Sequence, residues 1–306
     1  MPDAQPKSED KAKDFFVDVP FETPGFFLKG SAHLDWGMKN RLSRIFNPKD
    51  GRTVMLAFDH GYIMGPTSGI ERMDLAIPPL IPHIDCLMCT RGALKTCIPP
   101  EVNKPVVLRS SAGATVLKEL SNEVIGVTLE DALRFNAAAV TCQCYVGGPF
   151  EKESLANLCQ LVNEGNRYGV PTLGVTAVGR ELVRDARYLG LAGRVIAELG
   201  AHFNKTYYCE PGFDEVVAGT PIPVVIAGGK KLPEADALAM AYKAIDQGAV
   251  GVDMGRNIFL AEDPAAMAAA IRAVVHDNLK PDKAFQLYND LKGKACGCAD
   301  SDCCRG

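Results

Sequence analysis

The stretch IPVVIAGGKKLPEADALAMAYKAIDQGAVGVDMGRNIF, residues 222–259, contains two short apolar runs with a longer amphipathic segment between them. The runs Ile222–Ala227 and Val250–Met254 are almost continuously apolar, which is typical of parallel strands that are covered on both faces. The segment Pro233–Gln247 has the length and the spacing of a helix. This order predicts a strand–helix–strand unit within a parallel sheet.

The same alternation continues along the rest of the chain. Its eight apolar runs are Thr53–Phe58, Ile84–Cys89, Pro105–Leu108, Ala137–Val146, Pro171–Thr176, His202–Lys205, Ile222–Ala227 and Val250–Met254. Further helices are predicted over Lys152–Tyr168, Val183–Leu199 and Pro264–Asp277. Eight strands that alternate with helices predict an α/β fold, a (βα)8 TIM barrel over residues 51–290. A doubly wound sheet is the alternative, but such a sheet usually has an early glycine-rich dinucleotide turn, and none follows the first run.

An N-terminal extension, residues 1–50, precedes the predicted barrel. Pro20 and Pro24 interrupt its apolar residues and argue against a continuous helix at that point. Further along, Leu34–Phe46 has helical spacing and is followed by Asn47-Pro48, which predicts a helix that ends there.

The 11 cysteines form two groups. Seven lie among apolar residues, where a free cysteine behaves as a small hydrophobic residue. Two of these seven, Cys86 and Cys89, form a C-x-x-C pair that fits a buried strand better than a redox or metal pair. The other four crowd the C-terminal tail, residues 291–306, which is expected to be flexible, although thiolates at this density could also bind a soft metal. These four are Cys296, Cys298, Cys303 and Cys304.

Composition and charge exclude several functional classes. The 306 residues include 33 Lys and Arg against 37 Asp and Glu, a net charge of −4, whereas a nucleic-acid-binding protein needs a clustered basic surface. No apolar run approaches the ~20 residues that a helix needs to cross a bilayer. The first 14 residues lack the apolar stretch of a signal peptide. We therefore expect a cytoplasmic protein without nucleic-acid or membrane partners.

Glycine-containing turns follow the last two predicted strands, where a barrel of this kind places its reacting groups. Gly228 and Gly229 follow the seventh run, and Gly255 and Arg256 follow the eighth. Glycine lets backbone N–H groups approach an anion closely, and the loops after these two strands commonly bind phosphate. Plain turn glycines are the alternative for either turn alone, but the repeated signature on adjacent strands favours a phosphate site.

Ionisable side chains stand at other strand ends. Lys205 closes the sixth run, where burial would favour the uncharged amine that adds to carbonyl groups. A lysine whose head lies in water is equally compatible with the spacing. Asp59 and His60 follow the first run and are suited to proton transfer, with a packed, structural His60 as the alternative. Arg91, just past the second run, is a candidate for anchoring a polar substrate group. No histidine pair has the spacing of zinc ligands, so no metal site is expected.

Together these motifs resemble the class I aldolase family that includes the archaeal-type fructose-bisphosphate aldolases. The matching motifs are Leu34–Gly37, Leu42–Pro48, Val54–Gly61, Met88–Gly92, the strand of Lys205, Ala227–Gly229 and Gly255–Phe259, within a resemblance that covers roughly residues 27–288. The resemblance implies a (βα)8 barrel, a Schiff base at Lys205 and phosphate binding at the loops after strands seven and eight. It also implies a cytosolic homo-oligomer, expected to be a decamer.

One departure from the aldolases concerns the end of the fifth strand. Archaeal-type aldolases carry a Tyr-Pro-Arg-Gly-like stretch there, whose tyrosine moves protons in the aldol step. This chain has Val175-Thr-Ala-Val-Gly-Arg180, so that Ala177 takes the place of the tyrosine. In this it is similar to the thiolase branch of the family, which degrades a phosphorylated diketone derived from autoinducer-2. That substrate carries a ketone where aldol cleavage needs a base beside a hydroxyl.

The resemblance therefore implies a Schiff-base acetyltransferase that cleaves the diketone, with coenzyme A as co-substrate and without a bound cofactor. Within enzymes, the alternative is a class I aldolase that acts on fructose bisphosphate or on a related sugar phosphate. The alternative outside the enzymes is a binding protein, in which the barrel holds a phosphosugar without turnover. Lys205 argues against this last possibility, because a binding protein has little use for a costly buried amine.

Overall fold

A closed barrel of eight parallel strands forms the centre of the molecule. The computed structural model describes Phe16 and residues 18–22, 25–67, 69–113, 115–177 and 183–293. Each strand pairs with its neighbours along the chain, and the eighth strand pairs with the first. The strands are β1 Thr53–Ala57, β2 Cys86–Cys89, β3 Val106–Arg109, β4 Ala139–Cys144, β5 Thr172–Thr176, β6 Phe203–Tyr207, β7 Val224–Ala227 and β8 Gly251–Met254. The predicted (βα)8 barrel is confirmed, and the doubly wound alternative is wrong.

Helices cover the outside and the amino-terminal end of the barrel. They are α1 Trp36–Ile45, α2 Gly61–Met64, α3 Met73–Ala76, α4 Arg91–Cys97, α5 Leu129–Arg134, α6 Glu151–Tyr168, α7 Ala186–Glu198, α8 Phe213–Gly219, α9 Glu234–Asp246, α10 Arg256–Phe259, α11 Pro264–Asp277 and α12 Pro281–Leu291, with a 3-10 helix at Pro78–His83. The long predicted helices are confirmed to within three residues at each end. None of the described helices is long and apolar enough to cross a membrane.

Two differences from the sequence-based expectations concern elements near the site. The sixth strand does not end at Lys205 but continues to Tyr207, so that Lys205 lies in its middle. The long connection between β3 and β4 contains a small antiparallel sheet, Ser111–Gly113 with Glu123–Ile125, before α5. Strands of three residues are too short to show a period-two pattern, which explains why the sequence does not reveal them.

The apolar side chains form two layers, because successive residues of a strand point to opposite faces. Val54, Leu56 and their counterparts on the other strands pack between the barrel and the helices. Met55 and Phe203 belong to a second cluster, which fills the barrel interior together with residues of α1. The ring of Phe46, which follows α1, meets Phe203 edge-on with centroids 5.4 Å apart. The amino-terminal end of the barrel is therefore closed, and its carboxyl end is left for the site.

The C-x-x-C pair is part of this core. Cys86 and Cys89 are both fully buried in β2, as the buried-strand interpretation predicted. Burial raises the pKa of each thiol, so both remain protonated and unreactive. The four cysteines of the tail lie outside the described residues.

Candidate active site

A cavity of about 160 Å³ lies at the carboxyl end of the barrel. Seven of the eight residues predicted from sequence line it together, from four different strands and the loops that follow them. They are Asp59, His60, Lys205, Gly228, Gly229, Gly255 and Arg256. Since the carboxyl ends of parallel strands meet at one rim, residues that are far apart in sequence come together here.

Lys205 points into this cavity. It shares a face of β6 with Phe203, which belongs to the interior cluster, and only 8% of the residue is exposed. Its Nζ lies 2.9 Å from Oδ2 of Asp253 on β8 and 3.5 Å from Sδ of Met88 on β2. The alternative of a lysine with its head in water is therefore wrong.

Asp253 is a member of the site that the sequence analysis missed. Its side chain is fully buried, and burial raises the pKa of its carboxyl group, although the charge of Lys205 acts in the opposite direction. Within the described part of the chain, Oδ1 has no hydrogen-bond donor. A carboxylate in this setting is well placed to take a proton from the Lys205 ammonium group. The sequence did contain a signal for Asp253, since an aspartate inside the apolar run Val250–Met254 requires a buried partner.

His60 presents a neutral imidazole to the same cavity. Burial lowers the pKa of His60, and although Asp59 opposes this shift, Arg256 and Lys205 add to it. The ring stacks on Phe259 with centroids 5.7 Å apart. Its Nε2 is buried and has no hydrogen-bond partner among the described residues. The ring can therefore accept a proton near neutral pH.

Asp59 is held by a buried cluster of charged groups centred on Arg109. The guanidinium of Arg109 donates to Asp59 Oδ2 and to Glu123 Oε1, each at 2.7 Å, and also to the hydroxyl of Tyr62 at 2.7 Å. Ser111 completes the cluster, with its hydroxyl 2.7 Å from Glu123 Oε2. Arg109 stands at a strand end and could be suspected from the sequence. Its partner Glu123 lies on the small sheet that the pattern did not reveal.

The glycine turns have steric reasons to be glycine. A Cβ on Gly255 would lie 2.2 Å from the carbonyl oxygen of Ala57, and one on Gly228 would lie 2.9 Å from Nδ2 of Asn257. Buried Asn257 joins the two loops, because its Nδ2 donates to the carbonyl oxygen of Gly228 at 2.7 Å and its Oδ1 accepts from the backbone N–H of Leu232 at 2.8 Å. The turns and Arg256 thus form one fixed side of the cavity.

Arg91, the eighth predicted residue, lies elsewhere. Its side chain is 48% exposed and pairs with Asp131 at 3.0 Å. It lines a second cavity, of about 150 Å³, whose wall also includes Tyr62 and Arg109. Arg109 therefore contributes to the walls of both cavities.

Known proteins share both the sequence and the architecture. The sequence profile of the DeoC/LacD family aldolases matches residues 53–261. An uncharacterized aldolase of Pasteurella multocida is 58% identical over 280 residues, which cover 92% of this chain and 97% of the relative. A 3-hydroxy-5-phosphonooxypentane-2,4-dione thiolase of Photorhabdus laumondii is 58% identical over 276 residues, which cover 90% of this chain and 95% of the relative.

Among solved structures, an archaeal fructose-1,6-bisphosphate aldolase whose catalytic lysine is covalently bound to the carbinolamine intermediate of its substrate superposes with a TM-score of 0.70. The two sequences are 25% identical, and the superposition covers 78% of this chain and 99% of the aldolase chain. The profile match spans more than half of the chain, and the relatives align over nearly all of it. The chain therefore belongs to the DeoC/LacD aldolase family.

Proposed function

We propose that this chain is a Schiff-base-forming thiolase that cleaves 3-hydroxy-5-phosphonooxypentane-2,4-dione with coenzyme A to dihydroxyacetone phosphate and acetyl-coenzyme A. The observation that carries the proposal is the buried Lys205, paired with Asp253, in a cavity that also contains two glycine turns. The thiolase relative supports this substrate, and the archaeal aldolase with its covalently bound lysine supports the chemistry at Lys205.

The first step is formation of an imine. Lys205 transfers a proton to Asp253, and its free amine adds to the C4 ketone, beside the phosphorylated carbon. The proton returns from Asp253 to the departing oxygen, which leaves as water. Backbone N–H groups of the glycine turns and the guanidinium of Arg256 bind the phosphate and hold this ketone near Nζ.

The second step is transfer of the acetyl group. His60 takes the proton of the thiol, and sulfur adds to the C2 carbonyl. The C2–C3 bond then breaks, its electron pair moves into the protonated imine to give an enamine, and the acetyl group leaves as the thioester. The proton held by His60 passes to C3, and water releases dihydroxyacetone phosphate from Lys205. Asp59, fixed by Arg109, stabilises the imidazolium form of His60.

Ala177 disfavours the aldolase alternative. It follows β5, is buried, and offers only a methyl group where aldol chemistry would use a tyrosine hydroxyl. Scission by a thiol does not need that hydroxyl, because the substrate has a ketone at the corresponding carbon.

A product assay tests the proposal. The purified protein is incubated with the diketone, with and without coenzyme A, and separately with fructose 1,6-bisphosphate. Acetyl-coenzyme A should form only when both diketone and coenzyme are present, and Lys205→Ala should abolish it, whereas Lys243→Ala, an exposed lysine, should not. Turnover of fructose 1,6-bisphosphate without turnover of the diketone would contradict the proposal.

The proposal includes the cellular setting of the enzyme. The thiolase resemblance supports a role in autoinducer-2 degradation in the cytoplasm, carried out by a homo-oligomer, expected to be a decamer. Light scattering coupled to gel filtration tests the assembly, because the mass measured for a decamer would be ten times the mass of one chain.

A further inference from the structure

We infer that the second cavity receives the pantetheine arm of coenzyme A, and that Arg91 at its mouth binds the phosphates of the coenzyme. This inference rests on the proposed function, because it locates the second substrate of that reaction. The second cavity is lined by Tyr62, Thr90, Arg91, Arg109, Ala112 and Val127, among others.

The order of the strands places this cavity beside the reacting end of the diketone. In an eight-stranded closed barrel, β3 lies four strands from β7 in either direction, and β2 lies four strands from β6. A substrate held by its phosphate at the loops after β7 and β8, and by its imine on β6, extends across the barrel. Its acetyl end therefore points toward the ends of β2 and β3, where Arg91 and Arg109 stand.

The two cavities share part of their walls. Arg109 lines both of them, and the short segment 60–62 contributes His60 to the first cavity and Tyr62 to the second. A thiol that reaches this shared wall from the second cavity is therefore near His60. That is the group proposed to take its proton.

The walls of the second cavity match the chemistry of the coenzyme. Ala112, Val127 and the ring of Tyr62 offer a mostly apolar surface to the uncharged pantetheine arm, whose methyl and methylene groups gain from burial. Arg91 is half-exposed at the rim, where a guanidinium can bind phosphate with charge-assisted hydrogen bonds. Its present partner, Asp131, is also partly exposed, so the guanidinium can exchange this contact for a phosphate.

The first experiment fills the cavity. Ala112→Phe puts an aromatic ring into the proposed path of the arm, and should raise the KM for coenzyme A about tenfold or more, as expected when one well-buried contact region is lost. The KM for the diketone should be unchanged. Leu117→Phe, an exposed position on the same connection, is the control and should behave as wild type.

The second experiment compares coenzyme A with pantetheine, which lacks the phosphates. Arg91→Ala should raise the KM for coenzyme A about tenfold, the loss expected for a hydrogen-bonded charge pair, and leave that for pantetheine unchanged. Arg134→Ala is the matched control, because Arg134 pairs with the same Asp131 but is 81% exposed. An equal effect of Arg91→Ala on both thiols would overturn the assignment of Arg91.

Direct binding separates this inference from the proposed function. Coenzyme A is titrated calorimetrically into wild type and Ala112→Phe without the diketone. Weaker binding to Ala112→Phe supports the inference even if the diketone is not the substrate. Equal binding to both proteins, in an enzyme that does form acetyl-coenzyme A, overturns the inference and leaves the proposed function intact.

Discussion

Two opposite charges face each other inside the barrel, on Lys205 and Asp253. Their attraction at 2.9 Å offsets part of the free-energy cost of removing each charge from water. Removing one partner leaves the other buried and uncompensated. The pair thus couples stability to the proposed chemistry, because the carboxylate that pairs with Lys205 is also the group proposed to accept its proton.

Asp253→Asn keeps the shape of the side chain but removes its charge and its basicity. We expect turnover to fall by about 10² to 10⁴, the range typical of a lost acid–base group, and the unfolding free energy to fall by about 3 kcal/mol. Single-turnover measurement of imine formation and thermal unfolding check the two parts separately. The exposed Asp214→Asn should change neither. A normal rate of imine formation in Asp253→Asn would remove Asp253 from the proton transfer.

His60 should set the acid limb of the pH profile. It acts in its neutral form, and burial lowers its pKa below the usual 6.5, so that activity is retained through mildly acidic pH and is lost only as pH falls through this lowered value. The measurement is kcat/KM for coenzyme A as a function of pH. His60→Gln should lose activity at every pH and lose this limb, while imine formation continues. An unchanged acid limb in His60→Gln would assign it to another group.

At the scale of elements, the loops after β7 and β8 act as one unit. Asn257 at the start of α10 bonds to the turn after β7, and the close approach of Gly255 to Ala57 fixes the turn after β8 against β1. The proposed phosphate site is therefore a property of three neighbouring strand ends and not of one loop.

Asn257→Ala should loosen this unit. It leaves the carbonyl oxygen of Gly228 and the N–H of Leu232 without their partner, which costs about 1–3 kcal/mol of stability. We also expect a higher KM for the phosphorylated diketone, since the turn is no longer fixed, with little change in the KM for coenzyme A. The kinetic comparison of the two substrates checks this. Equal increases in both KM values would mean a general loss of structure.

A second cluster, at the amino ends of β1 and β2, joins α11 to the barrel. His276 Nδ1 lies 2.6 Å from Asp50 Oδ2 and its Nε2 lies 2.8 Å from Asp85 Oδ2, while Arg272 donates to Asp85 Oδ1 at 2.6 Å. Burial opposes protonation of His276, but hydrogen bonds with the two carboxylates outweigh it and raise its pKa. Asp85 forms hydrogen bonds with His276 and Arg272, and these outweigh the effect of burial and lower the pKa of Asp85.

Stability should therefore depend on pH at both ends of the range. The contribution of protonated His276 is complete below its unfolded pKa of about 6.5 and is lost as pH rises through its raised folded pKa. The contribution of Asp85 is present above its unfolded pKa of about 3.8 and is lost as pH falls through its lowered folded pKa. As the pH rises from 5 to 9, the melting temperature of the wild type should fall more than that of His276→Gln. Parallel curves would contradict this role of His276.

At the scale of the whole molecule, the two ends of the barrel have different tasks. α1 and the interior cluster close the amino end, and the His276 cluster binds the outer helix there. The carboxyl end carries the cavity and its ionisable groups. Substitutions at the closed end should therefore change stability without changing the chemistry at Lys205.

The strands, the long helices and seven of the residues that line the first cavity could be predicted from the sequence, because apolar runs and strand-end polar residues are local signals. Glu123 could not, since its three-residue strand has no readable period. Arg91 stands at a strand end like the others, and only the three-dimensional structure shows that it faces a different cavity. Asp253 was visible as a charge in an apolar run, and its partner is identified only by the closure of the barrel.

The most direct test of the account is covalent trapping of the imine. The protein is incubated with 3-hydroxy-5-phosphonooxypentane-2,4-dione, reduced with borohydride, digested and analysed by mass spectrometry. The account predicts one modified peptide, the one that contains Lys205, and no modification in Lys205→Ala. A modification at another lysine, or equal trapping in Lys205→Ala, would contradict it.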